Sequence, residues 1–113
     1  MLETKKDLNE QEREIQLCIL KFIGKLINDP KATKRDLINP ICAAVDQWRK
    51  SIKNVQEEDL NAYESNLIHS IDRYTYDLLN DPKATKMDYF GAVYCAVNFW
   101  KRRMETIIEE EGE

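Results

Sequence analysis

The sequence predicts an all-α fold, an antiparallel four-helix bundle built from two duplicated helical hairpins with internal pseudo-twofold symmetry. Three observations carry this. Leu26-Ile27-Asn28-Asp29-Pro30-Lys31-Ala32-Thr33-Lys34-Arg35-Asp36 recurs as Leu78-Leu79-Asn80-Asp81-Pro82-Lys83-Ala84-Thr85-Lys86-Met87-Asp88, nine of eleven positions being identical at an offset of 52 residues. Apolar residues on both sides of each copy recur at the spacing of one helix face. Each copy also holds a proline that stops one helix and a threonine that can start the next.

The first helix, expected over 8–28, carries Ile15, Cys18, Ile19, Phe22, Ile23 and Leu26 on one face. It stops before Pro30, which lacks an amide hydrogen and pushes Asp29 out of helical angles. The second, expected over 34–53, opens on Thr33-Lys34-Arg35-Asp36, a capping box with Asp in the usual Glu/Gln place. Its core face is Leu37, Ile41, Val45, Trp48 and Ile52. Pro40 falls inside this span, where it predicts a kink. The aligned pair Gly91-Ala92 makes a weaker step at the same place.

Asn54 to Asp59 is short and polar and links the halves. The third helix, over 57–80, repeats the first with Leu67, Ile71, Tyr74 and Leu78. The fourth, over 86–109, opens on Thr85-Lys86-Met87-Asp88 and offers Tyr89, Val93, Val97, Trp100, Met104 and Ile107. Residues 109–113 form an acidic tail expected to fray. The chain thus reads as one helical domain over 1–113, with repeat units at about 8–54 and 57–109. Short connections close two hairpins most simply as a bundle. An open stack is the alternative, but two units are few for a stack.

Composition narrows the classes. The 113 residues are 42% hydrophobic and 34% charged, a balance that supports a packed core and excludes a disordered ground state. Three glycines and three prolines exclude collagen-like chains. No apolar run reaches the roughly 18–20 residues of a membrane span. Met1 to Arg13 is polar, without a signal-peptide core. Cys18, Cys42 and Cys95 are an odd number inside apolar helical stretches, which reads as buried free thiols in a cytoplasmic protein. The net charge of −4 opposes general affinity for nucleic acid.

Where the halves differ, function has room. The first helix carries a second apolar stripe, Leu17, Leu20, Gly24 and Ile27, facing His69, Asp72, Tyr76 and Leu79 in its twin. The fourth adds Ala92, Cys95 and Phe99, with Phe99 standing where the second has Gln47. Broad burial within the bundle is the first expectation for these stripes. The sharper one is a contact for another protein or a second copy, with Leu17, Leu20, Gly24, Ile27, Cys95 and Phe99 as its residues.

Chemical constellations are sparse. The twin loops put Lys31, Thr33, Lys34, Lys83, Thr85 and Lys86 at helix N-termini, where anions are favoured. A phosphate-bearing ligand or nucleic acid is the reading this supports. Against it, four aspartates neutralise the region and the caps use its free N–H groups. Trp48-Arg49-Lys50 and Trp100-Lys101-Arg102-Arg103 resemble a stacking-plus-phosphate pattern, but both tryptophans fall on core faces. His69, the sole histidine, has no nucleophile beside it in any recognisable motif, and a solvated ring is its expected state. Glu10, Glu12, Glu14, Glu57, Glu58 and Glu64 lack the Glu-x-x-His pairing of di-iron bundles and read as solvent-facing. No Walker, dinucleotide or EF-hand loop occurs.

The resulting expectation is a small non-enzymatic protein without metal or cofactor, which binds another protein or its own copy through apolar helix faces. Adaptors, regulators and inhibitors of this size are common in mobile-element genomes. Nucleic acid or a nucleotide ranks below a protein partner, and a membrane is excluded.

Overall fold

A computed structural model describes residues 5–52 and 55–111. They form four helices: α1 (Lys5–Ile27), α2 (Ile38–Ser51), α3 (Glu57–Asn80) and α4 (Lys86–Glu111). A short 3-10 turn, Arg35–Leu37, leads into α2. Among the described residues there is no strand. Residues 53 and 54 of the link, and 112 and 113 of the acidic tail, lie outside the described residues, while the helix itself runs on to Glu111.

Each helix packs on two others. α1 lies against α2 and α4, and α3 against α4 and α2, which closes a ring around one core. The extents of 48 × 23 × 21 Å fit helices packed two by two, at the 8–10 Å spacing typical of such contacts, and not an open stack. The core takes Leu8, Ile15, Ile19 and Ile23 from α1, and Ile41, Ala44, Val45 and Trp48 from α2. Leu67 and Ile71 come from α3, and Val93, Ala96, Val97, Trp100 and Met104 from α4. The two tryptophans are fully buried and meet edge to face, their centroids 5.4 Å apart at 86°. Their N–H groups are not stranded: Trp48 Nε1 donates to Gln11 Oε1 at 2.8 Å, and Trp100 Nε1 to the Tyr63 carbonyl at 3.2 Å. Ser70 and Thr75, also buried, donate to the Asn66 and Ile71 carbonyls one turn back.

The loops obey their sequence, with one difference between copies. Asp29 accepts the Lys31 amide and Asp81 the Lys83 amide, both at 2.9 Å, so each aspartate builds its own turn. Both capping boxes form. The Thr33 amide donates to Asp36 and the Thr85 amide to Asp88, at 2.8 and 2.9 Å, and the Asp amides return to the threonine hydroxyls at 3.4 and 3.1 Å. In the second copy the α-helix starts at once, the Tyr89 amide reaching the Thr85 carbonyl. In the first, Asp36 and Leu37 bond three residues back, to Thr33 and Lys34. Pro40 is the cause: it has no N–H for the Asp36 carbonyl, so the opening turn tightens to 3-10 and α2 begins at Ile38. The expected kink is therefore corrected to a delayed start, with Pro40 in the first turn, where a missing N–H costs little.

Two further expectations change. The thiols are free, but only Cys18 is half-buried; Cys42 and Cys95 are exposed, each one residue, or about 100° of helix turn, away from a core position. Glu12 and Glu64 are not merely solvent-facing. Lys101 reaches Glu12 at 3.5 Å and Asn9 Oδ1 at 3.1 Å; Arg49 reaches Glu64 at 3.5 Å and Asn61 Oδ1 at 2.6 Å. These clusters exchange when each residue is replaced by its counterpart in the other copy, so the repeat extends upstream to Asn9 and Asn61.

Candidate functional site

The surface of interest lies along α4, which borders the apolar stripe of α1 and carries the other stripe the sequence singled out. Core positions Tyr89, Val93, Ala96, Val97, Trp100 and Met104 use up one side of it. Met87, Phe90, Tyr94, Cys95 and Phe99 fall outside that face, at helical spacing of their own. Phe90 and Tyr94 stack, centroids 4.5 Å apart, and the Tyr94 hydroxyl donates to the Gln16 carbonyl of α1 at 3.3 Å. This pair seals the seam between α1 and α4 while leaving its outer edge apolar. Burial pushes the Tyr94 hydroxyl above the ordinary tyrosine range, so it stays a neutral donor.

On α1 the expected stripe is open to solvent. Leu17 is 54% and Leu20 45% exposed, and Met87 opposite them is 59% exposed. The expectation that the bundle covers this stripe is thus corrected for both leucines, which lie off the face that carries Ile15, Ile19 and Ile23 into the core. Ile27 is half-buried against the core. Gly24 has room above it, a Cβ there meeting nothing nearer than Leu20 Cδ1 at 3.9 Å. Leu20, Gly24, Ile27, Met87 and Phe90 line an open groove of about 570 Å³, with Lys21, Lys25 and Asn28 at its rim.

Cys95 and Phe99 lie in a second depression of about 430 Å³, with Tyr74, Tyr94, Asn98 and Arg102. Phe99 is half-buried: Tyr74 packs on it at 5.7 Å, and the Arg73 guanidinium stands over its ring at 5.9 Å. A third depression continues past Phe99 with Arg102, Arg103, Thr106 and Ile107. The six residues expected from sequence therefore fall into two groups, joined by the Phe90–Tyr94 stack. Met87, Phe90, Tyr94 and Tyr74 were missed there. The same comparison between copies flags the first three, since their counterparts are Arg35, Ile38 and Cys42.

The twin loops stand at one end of the bundle, and their lysines point inward. Lys34 Nζ donates to the Leu78 carbonyl at 2.6 Å and to the Asp81 carbonyl. Lys86 Nζ donates to the Leu26 carbonyl at 2.9 Å and to the Asp29 carbonyl. Each lysine thus caps the C-terminal end of the helix in the other copy, where carbonyls carry the negative end of the dipole. Lys31 and Lys83 are exposed, and Thr33 and Thr85 have their amides on aspartate. His69 is exposed. No group of three or more His, Cys, Asp or Glu is placed to hold a metal ion among the described residues. No helix among them is long and apolar enough to cross a membrane.

Comparison with protein-family models, with curated proteins and with solved structures finds no match.

Proposed function

We propose that this chain is a non-enzymatic protein-binding module of cytoplasmic type, an adaptor, regulator or inhibitor that receives its partner on the outer face of α1 and α4. One observation carries the reading: Leu20 and Met87 are exposed on an open apolar groove, with Leu17 exposed on the same helix just before it, while Leu17 and Leu20 have His69 and Asp72 as counterparts on the other side. Exposed apolar patches on folded domains mark contact sites more often than they mark nothing. Leaving these side chains in water forgoes about 25 cal/mol for each Å² of apolar surface, which a bound partner recovers. The exposed thiols of Cys42 and Cys95 accord with a reducing compartment.

The anion-binding alternative through the twin loops has less support. Lys34 and Lys86 already serve carbonyls, and the threonine amides already serve carboxylates. A phosphate titration watched by amide NMR is expected to leave Thr33 and Thr85 unmoved; saturable shifts at both would restore that alternative.

A photo-crosslinking residue placed at Leu20, and separately at the twin position Asp72, tests the main reading in the native cell. Crosslinks to a protein from position 20 and none from 72 are expected. Equal yields, or none from either, contradict it. Light scattering covers the case where the partner is a second copy: a dimer lost in Leu20→Glu identifies it.

A further inference from the structure

We infer that the occupant of this face is an acidic amphipathic helix of another protein, laid along α4. The inference rests on the protein-binding reading and adds the chemistry of the partner. Its ground is charge. Every ionisable group lining the three depressions is a cation or a tyrosine or cysteine: Lys21 and Lys25 beside Leu20, Arg102 beside Cys95, Arg102 and Arg103 beside Phe99. Arg73 adds a fifth cation over Phe99. None of Lys21, Lys25, Arg73, Arg102 and Arg103 is in an ion pair among the described residues. In a chain of net charge −4, five cations without an ion pair border one apolar band, with Asp77 and Glu105 one turn from Arg73 and Arg102.

The other copy shows where the carboxylates went. Asp72, Asp77 and Asp46 correspond to Leu20, Lys25 and Asn98. On that side Lys50 is held by Asp46 at 3.0 Å; its counterpart, Arg102, has only the amide Asn98 where the aspartate would be. The α4 face therefore lacks three acids that its twin has, and its cations are left for a ligand. The acids of α1, Asp7, Glu10, Glu12 and Glu14, stand in its first half, away from the groove at Leu20–Asn28.

Geometry selects a helix. With no strand among the described residues there is no sheet edge to extend, and a furrow flanked by helices takes an apolar helix face. Met87 to Phe99 spans about 18 Å at 1.5 Å per residue, so three to four turns cover the band. Lys21 and Lys25 stand at one end of it and Arg73, Arg102 and Arg103 at the other, which suits glutamates or aspartates flanking a central run of leucine-like residues. A second copy docked face to face would bring these cations together, which like-charge repulsion opposes.

Three synthetic sixteen-residue peptides with the same leucine stripe, differing only in Glu, Gln or Lys on the flanks, test this by fluorescence anisotropy and amide NMR. Uridine homopolymer and phosphatidylserine vesicles serve as further anionic probes. The Glu peptide is expected to bind roughly tenfold tighter than the Gln peptide at low salt, the margin shrinking as salt rises. Shifts are expected at Leu20, Gly24, Phe90 and Phe99. The doubly substituted Lys25→Asp/Arg102→Asp chain, checked by its melting curve to be folded at the assay temperature, is expected to prefer the Lys peptide. Equal binding of Glu and Gln peptides overturns the charge inference and leaves the apolar reading standing. Binding of no peptide, or tighter binding of the Lys peptide, RNA or vesicles, also overturns it, and the crosslinking result then judges the apolar reading separately.

Discussion

The α1–α4 side and the α2–α3 side of the bundle occupy equivalent places in the repeat, yet only one of them is left unfinished. On the α2–α3 side, Ile38, Ile41, Cys42, Val45, Ile68, Ile71, Asp72 and Tyr89 close around a cleft of about 30 Å³. On the α1–α4 side Phe90 and Tyr94 fill the matching seam, and beyond it Leu20, Gly24, Ile27, Met87 and Phe90 line an open groove of about 570 Å³. What matches between the copies is what folding requires: core positions, capping boxes, the inward lysines and the Glu–Asn–cation clusters. What differs is the outer layer. Leu20 and Asp72, Gly24 and Tyr76, Phe99 and Gln47 share positions outside the fully buried core, and there one side became polar and the other apolar.

That contrast can be broken most forcefully at the core. Trp48→Ala and Trp100→Ala are each expected to cost about 3–5 kcal/mol in urea denaturation, because both rings are fully buried against each other. A tryptophan that could be removed for less than 1 kcal/mol would end the equivalence of the halves. Next come the lysines. Lys34→Met and Lys86→Met should each cost about 1–3 kcal/mol, since each leaves helix-end carbonyls without a charged donor. Thr85→Ala should cost about 1 kcal/mol and Thr33→Ala somewhat less, its hydroxyl bond being longer at 3.4 Å against 3.1 Å.

The smallest effect is chemical. Burial first, and then the nearby Glu14 carboxylate, raise the Cys18 thiol above its ordinary range. Near neutral pH a maleimide should therefore modify exposed Cys42 and Cys95 before Cys18. Because a raised thiol ionises later, the Cys18 rate should climb only above the ordinary thiol range.

Helix order and placement were legible because the determinants are local and doubled: Pro30 and Pro82 stop helices, Thr33 and Thr85 start them, and the apolar spacing names the core. The delayed start of α2 was not, because Pro40 acts on the hydrogen bonding of residues before it, and spacing alone shows no such shift. Part of the candidate face was visible as surplus apolar residues, Leu17, Leu20, Gly24 and Ile27 on α1 and Cys95 and Phe99 on α4. Met87, Phe90 and Tyr94 were hidden by the fact that α4 is apolar on two sides, so periodicity cannot say which side meets the core. The lysine loops show what spacing cannot: two lysines lie at each helix start, and only the folded chain sets Lys34 and Lys86 on carbonyls of the other copy.

The account stands on the claim that the apolar outer layer of α1 and α4 serves something other than folding. The direct test transplants the twin's residues onto its exposed positions, as Leu17→His, Leu20→Asp and Met87→Arg in one chain, and compares urea denaturation with the parent. A free energy of unfolding within about 1 kcal/mol of the parent is the predicted result, as for exposed positions generally. A loss of 3 kcal/mol or more would show that the bundle itself needs this face, and would contradict the claim.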